Sequence, residues 1–166
     1  MTQPATAETD DPRRPVDRWL HSYGGDHEDR RNQIIHLVCV PAILWTVTAF
    51  FWLIPVPAAF GKPGLWMAAA MFVAWLWYWQ LSRPLGLGML AVFVLCGVIN
   101  QLLYTRIGMA NLGWLALAVF VIAWIGQFIG HIFEGKRPSF FTDLVYLLVG
   151  PMWTLSKLYR RLGINW

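Results

Sequence analysis

The sequence predicts an all-α integral membrane protein, with four transmembrane helices followed by interfacial helices at the C-terminal end. Apolar residues make up 57% of the chain and charged residues only 13%, whereas soluble domains carry about a quarter charged residues. Between Arg31 and Glu134 there is no Asp or Glu, and the three charged residues are Lys62, Arg83 and Arg106. A surface that faces water cannot be built from this composition.

Four apolar stretches are long enough to cross a bilayer, which takes about 20 residues. They lie at about 34–54, 64–81, 85–104 and 111–131. Turn residues at 54–57 and 61–64 separate the first two stretches, because proline cannot continue a helix. The segments 82–84 and 105–108 mark the next two connections.

The C-terminal segment, residues 139–162, is predicted to form interfacial helices rather than a fifth span. Its apolar run at 140–155 contains Asp143 and a break at Gly150-Pro151. A fifth crossing would also carry three following basic residues to the outside, against the positive-inside rule. We therefore expect two short helices on the membrane surface.

Basic residues at both ends predict the orientation. Five Lys or Arg precede the first span and five follow the fourth, whereas each internal connection has one. Both termini are therefore expected in the cytoplasm, with the chain in the inner membrane of a bacterium or the endoplasmic reticulum of a eukaryote. Residues 1–18 are expected to be a disordered tail, and residues 19–166 a single membrane domain.

Several function classes are disfavoured by the same patterns. The formal net charge of +4 does not indicate nucleic-acid binding, because the basic residues flank the spans. Cys39 and Cys96 lie inside apolar runs and are typical of small buried side chains rather than a disulfide. The first 32 residues are polar and charged, so no cleavable signal peptide is expected and the first span directs insertion.

The few polar residues near the cytoplasmic ends of the first and fourth spans are candidates for function, because ionisable groups at membrane depth are expensive. At about 100° per residue, Gln127, His131 and Glu134 share one face of the fourth helix. Asn32 and His36 are four residues apart and share a face of the first helix. Asn100 and Gln101, by contrast, are expected either to reach the membrane interface or to form a hydrogen bond with a neighbouring helix.

His27 precedes the first span, and Gly24-Gly25 before it lets the chain turn. We therefore expect His27, His36, His131 and Glu134 to meet at the cytoplasmic surface. Three imidazoles and a carboxylate suit a borderline metal such as iron or zinc. Spacing alone leaves a hydrogen-bonded polar cluster as an alternative.

Two other functions stay open at this point. One is a non-catalytic membrane protein whose polar cluster stabilises helix packing, helped by the small residues Gly126 and Gly130. The other is a metal-dependent lipid hydrolase, in which a metal-bound hydroxide attacks an ester. Elemental analysis of the purified protein discriminates a metal site from a packing cluster.

Two linked motifs resemble those of the Mpo1-like membrane family. They are Tyr23-xxx-His27-xxxx-Asn32-xxx-His36-xxxx-Pro41 and Trp124-xx-Gln127-Phe128-xx-His131-xx-Glu134-xxx-Pro138, followed by Gly150-Pro151. The resemblance extends from about Tyr23 to the end of the chain and includes the order of the four helices.

The resemblance implies an Fe(II)-dependent dioxygenase that uses O₂ to shorten 2-hydroxy long-chain fatty acids by one carbon, without 2-oxoglutarate. It implies iron ligands at His27, His36 and His131, with Asn32, Gln127 and Glu134 as polar partners beside them. We assign Glu134 either as a further ligand or as a residue that orients a ligand histidine. His21 lies outside the motif and is expected to be solvated or interfacial.

Such a substrate fits a metal at the edge of the bilayer. The acyl chain would lie among the Trp-rich helices and contact membrane lipid, while the carboxylate and the 2-hydroxyl reach the metal as a chelate. Nearby basic residues can steer the carboxylate, although their role in setting topology explains them more simply.

The predicted topology can be checked with single cysteines introduced near residues 10 and 164. Both should be protected from an outside-only thiol reagent in intact cells, because the basic residues hold both ends in the cytoplasm. Labelling at either site would exclude a topology of four spans with both ends in the cytoplasm.

Overall fold

The computed structural model describes residues 12–135 and 145–166, and the regular elements in these ranges are all helices. The predicted all-α class is thus confirmed. Along the chain the helices are α1 (Pro15–Gly25), α2 (Arg30–Leu53), α3 (Leu65–Leu81), α4 (Arg83–Glu134) and α5 (Tyr146–Arg161), with a short 3-10 turn at Ala58–Phe60 between α2 and α3.

Helix α2 begins four residues before the predicted first span because Asp29 caps it. The Asp29 carboxylate accepts hydrogen bonds from the backbone N–H groups of Arg31 and Asn32, which have no partner within the helix. This cap fixes the direction in which the chain enters α2. It therefore also fixes the position of the loop that carries His27.

Helix α4 contains both the third and the fourth predicted spans. Its two arms, residues 83–107 and 109–134, meet at Gly108, whose φ of 80° and ψ of 171° are not helical. Residues with a side chain are strained at this φ, whereas glycine is not. The first arm packs beside α3, and the second arm returns to the N-terminal end of α2.

Helices α2 and α4 are long and apolar enough to cross a membrane, and α3 is a shorter apolar helix. Large apolar side chains also cover much of the outer surface, including Val38, Trp114 and Ile122, which are 67%, 71% and 69% exposed. Extended apolar surface of this kind is typical of contact with lipid. Four crossings of the bilayer stay a prediction.

The small residues of α4 allow α2 and the second arm to lie very close together. A Cβ atom added to Gly126 would be 2.7 Å from Cys39 Sγ, and one added to Gly130 would collide with Asn32 Oδ1. At the other end of the bundle, Asn100 donates to Thr48 Oγ1 over 3.1 Å. The packing role expected for Asn100 is therefore confirmed.

The N-terminal tail is shorter than predicted. Residues 1–18 were expected to be disordered, but α1 begins at Pro15, and Val16 and Leu20 are 0% and 5% exposed. Burial of these two apolar side chains against α5 stabilises α1. Residues 1–11 lie outside the described part of the chain.

The break expected at Gly150-Pro151 is also wrong, because α5 runs through both residues as one helix. Proline removes one helical hydrogen bond, but Val149 and Met152 on either side are both 0% exposed, and their packing offsets that loss. Helix α5 thus packs into the protein rather than only lying on a membrane surface. Residues 139–144 of the predicted interfacial segment lie outside the described residues.

Candidate metal centre

Three histidines from three parts of the chain meet at one buried point. His27 lies in the turn between α1 and α2, His36 on α2, and His131 near the end of α4. One ring nitrogen of each lies within 4.8 Å of the other two. The side chains are 1%, 2% and 5% exposed. The three histidines that the sequence analysis expected to converge are therefore together.

Hydrogen bonds to backbone carbonyls orient two of these rings. His27 Nδ1 lies 2.6 Å from the Tyr23 carbonyl oxygen, and His36 Nδ1 lies 3.0 Å from that of Asn32. A carbonyl oxygen only accepts, so each Nδ1 carries the proton and donates it. The lone pair of each ring is then on Nε2, which is the usual arrangement of a metal-binding histidine.

His27 Nε2 supports a metal site directly. It is buried and has no hydrogen-bond partner among the described residues, and leaving such an atom unsatisfied is costly. Burial lowers the pKa of His27, which keeps its ring neutral and able to coordinate. These donors fit a divalent ion that accepts nitrogen ligands.

Two aromatic side chains hold the His27 ring from the other side. The ring stacks on Tyr23 with centroids 4.2 Å apart and an interplanar angle of 16°, and Trp153 of α5 lies 5.5 Å away. Neither residue has a role that the sequence alone predicts. The four-residue spacing from Tyr23 to His27 was the available signal, whereas nothing local to Trp153 indicated this contact.

Glu134 lies beside the histidine group but is not part of it. Its carboxylate accepts hydrogen bonds from the backbone N–H groups of Glu28 and Asp29, at 2.7 Å and 3.0 Å. It also accepts one from Asn32 Nδ2 at 2.8 Å. Of the two roles expected for Glu134, these contacts favour orientation of a histidine over direct ligation.

Asn32 and Gln127, the other expected site residues, occupy different positions. Asn32 is fully buried and connects two parts of the site, because its amide donates to Glu134 while its backbone carbonyl accepts from His36. Gln127 is 7% exposed, and its Oε1 has no hydrogen-bond partner within the described ranges. His21 is exposed, as expected.

An apolar cavity of about 470 Å³ is lined by the three histidines. This volume is in the range of small-molecule binding sites. The polar lining also includes Gln127 and Tyr23. Side chains from four helices form the apolar walls, among them Val40, Ile43, Leu44, Val47, Met71, Ala74, Tyr78, Phe93, Phe120 and Leu148. The cavity therefore suits an amphiphile whose polar end reaches the histidines.

Comparison with known proteins gives one family and one relative. The sequence profile described as "2-hydroxy-palmitic acid dioxygenase Mpo1-like" matches residues 14–162. The chain is 28% identical over 142 residues to 2-hydroxy-palmitic acid dioxygenase MPO1 of Saccharomyces cerevisiae, covering 82% of this chain and 75% of that protein. No solved structure matches the chain. The resemblance inferred from the two motifs is confirmed.

The contacts of Glu134 predict the effect of Glu134→Gln. The amide keeps one acceptor oxygen but turns an NH₂ group toward backbone N–H donors, so the loop at Glu28 and Asp29 loses a charge-assisted hydrogen bond. Hydrogen exchange of these two backbone amides should accelerate about tenfold, the change expected for one such bond. Glu28→Gln is the matched control, because the Glu28 side chain is exposed. Unchanged exchange in Glu134→Gln would contradict the positioning role.

Proposed function

Because the chain belongs to the 2-hydroxy-palmitic acid dioxygenase Mpo1-like family, we propose that it is an Fe(II)-dependent membrane dioxygenase that shortens 2-hydroxy long-chain fatty acids by one carbon. One observation carries the proposal. Three buried imidazoles line one apolar cavity of about 470 Å³. A hydrogen-bonded packing cluster would need neither such a cavity nor a buried imidazole nitrogen without a hydrogen-bond partner.

His27, His36 and His131 are the residues that would hold the iron. Bound there, Fe(II) would supply a redox-active centre at which O₂ is activated beside the chelating carboxylate and 2-hydroxyl of the substrate. The protein keeps the imidazoles neutral and orients their ring nitrogens toward the metal position. The carbonyl oxygens of Tyr23 and Asn32 hold the Nδ1 protons of two rings, which leaves Nε2 as the donor atom.

Glu134 and Asn32 are positioning residues in this proposal. Glu134 ties the loop that bears His27 to the end of α4, which bears His131. Asn32 ties Glu134 to the first turn of α2 and, through its backbone, to His36. Together they fix the relative positions of the three segments that bear the histidines, and neither residue is a metal ligand in this proposal.

Gln127 is the residue that we assign to the polar end of the substrate. Its Oε1 is buried at the cavity wall and is available as an acceptor. A 2-hydroxyl group is a donor that satisfies this oxygen, whereas a plain methylene leaves it unsatisfied. The apolar walls exclude water and hold the acyl chain, so that C1 and C2 stay at the histidines.

The membrane setting follows from the same geometry. The histidines lie near the N-terminal end of α2 and the C-terminal end of α4, and we propose that both ends face the cytoplasm. The acid would then enter from the bilayer with its carboxylate at the cytoplasmic edge. The substrate need not leave the lipid phase to react.

The joint metal site predicts a shared loss of iron. Replacing any one of His27, His36 or His131 by alanine should reduce bound iron from about one ion per chain to near zero, because two imidazoles do not retain the ion through purification. Elemental analysis of protein expressed with added Fe(II) measures this. His21→Ala is the matched control and should keep its iron. Stoichiometric iron in His131→Ala would exclude the shared site.

The proposed reaction predicts a strict need for the 2-hydroxyl group. Iron-loaded protein given O₂ and 2-hydroxyhexadecanoic acid should release the acid one carbon shorter, with C1 leaving as carbon dioxide and the remaining oxygen atom leaving as water. Mass spectrometry of the shortened acid measures this. Hexadecanoic acid should be inert, because it forms no chelate and leaves Gln127 Oε1 without a donor. Glu134→Gln should impair turnover strongly through the displaced His27 loop.

Two outcomes would contradict this reaction. Equal turnover of both acids would exclude recognition through the 2-hydroxyl group. No turnover of either acid by protein that holds one iron per chain would favour the lipid hydrolase or the packing function instead.

A further inference from the structure

A second cavity, of about 360 Å³, lies outside the metal centre and has no role in the proposed reaction. It lies between α2, the first arm of α4 and α5, and its walls include Leu37, Met89, Val92 and Leu155. Leu44 and Pro151 line both cavities, so the two share a wall. None of the three histidines borders the second cavity.

The lining of the second cavity combines two cationic groups with mainly apolar side chains. Lys157 and Arg161 both line it and lie four residues apart on α5, and therefore on the same face of the helix. Helix α5 contains no Asp or Glu. Within the described part of the chain, neither cation forms an ion pair with a carboxylate. The site thus offers positive charge that the described residues do not neutralise.

Lys157 is held in place rather than free in solvent. Its Nζ donates to Gln33 Oε1 over 2.6 Å and lies 4.0 Å from the centre of the Trp153 ring. An ammonium group has three N–H donors, so two stay available after the bond to Gln33. A side chain fixed in this way loses less entropy on binding an anion than a mobile surface lysine does.

Thr154 provides a second, independent sign of a ligand. Its Oγ1 is buried at the wall of this cavity and has no hydrogen-bond partner in the described ranges. Buried hydroxyl groups without a partner are uncommon in folded proteins, because each costs about 1–3 kcal/mol. An oxygen acceptor on a bound molecule would satisfy this hydroxyl.

We propose that the second cavity binds a fatty carboxylate, with its chain between α2, α4 and α5 and its headgroup at Lys157 and Arg161. Two cations and a hydroxyl donor fit a carboxylate, and the apolar walls fit one acyl chain. The cavity is smaller than the one that we assign to a single substrate chain, so it holds one acyl chain and not both chains of a phospholipid. The choice of a fatty acid as occupant rests on the proposed function, whereas the site itself rests on these contacts.

The probe for this site is hexadecanoic acid with a diazirine on its chain, added to the full-length protein in nanodiscs of uncharged phosphatidylcholine. After irradiation, peptide mapping should find the label at Met89, Val92 or Leu155. In Arg161→Met and in Thr154→Val/Lys157→Met/Arg161→Met this labelling should fall about tenfold or more, as expected for lost charge-assisted hydrogen bonds. Thr154→Val keeps the side-chain volume, and Lys157→Met keeps much of the stem.

Three comparisons make the result specific. Arg160→Met is the matched control, because Arg160 is exposed, stacks on Trp166 and does not line the cavity. The triple variant should unfold at the same temperature as the wild type in the nanodisc, which reports that it is folded. His36→Ala, which removes a metal ligand, should leave labelling of the second cavity unchanged. If the wild type shows no turnover but its second cavity is still labelled, the proposed reaction is refuted and the second site is not.

Two results would overturn the proposal. Equal labelling of the second cavity in the wild type and the triple variant would show that the cations do not hold the acid. If phosphatidylglycerol in the nanodisc abolishes the labelling, and a diazirine phosphatidylglycerol marks the same residues, the occupant is a membrane phospholipid and not a fatty acid.

Discussion

The rest of the structure depends on the close approach of α2 and the second arm of α4. Gly126 and Gly130 have no side chains to separate the two helices, and Asn32 occupies the space that a Cβ of Gly130 would fill. Asn32 can therefore reach Glu134 with its amide while its backbone carbonyl holds His36. A larger residue at Gly130 would displace Asn32, and both sets of contacts would be lost together.

The hydrogen bonds that follow from this approach form one connected network in mostly apolar surroundings. Glu134 accepts from the loop before α2, and that loop places His27 against Tyr23. In a setting of low dielectric each bond is stronger, and each unsatisfied group is more costly, than in water. The network accordingly defines one arrangement of the histidines. The same three histidines line the apolar cavity.

The sequence was informative where a pattern was local, or where the predicted topology brought the ends of two helices to one membrane surface. The gap in acidic residues, the spans of apolar residues and the four-residue spacing of Asn32 and His36 predicted the helices and the convergence of the histidines. The packing of α1 on α5, which buries Val16, leaves no local pattern in the sequence, so the prediction of a tail extended too far, to residue 18. Pro151 likewise predicted a break in the helix. The burial of Val149 and Met152, which offsets the hydrogen bond that proline removes, depends on tertiary packing and is not visible in the sequence. The groups that donate to Glu134 are the backbone N–H groups of Glu28 and Asp29, so the residue types at these positions do not predict the contact.

The position of His27 in a loop has a consequence for the order in which the protein assembles. Asn32 and Glu134 are 102 residues apart in the chain, so their contact forms only after the last long helix has been made and has folded back beside α2. Contacts across such long loops carry a high entropic cost and form late. Because the His27 loop is fastened by Glu134, the set of three histidines is complete only then. Metal loading would thus follow insertion of the chain. Before the last long helix is in place, only His27 and His36 would be available, and His131 would be missing from the site.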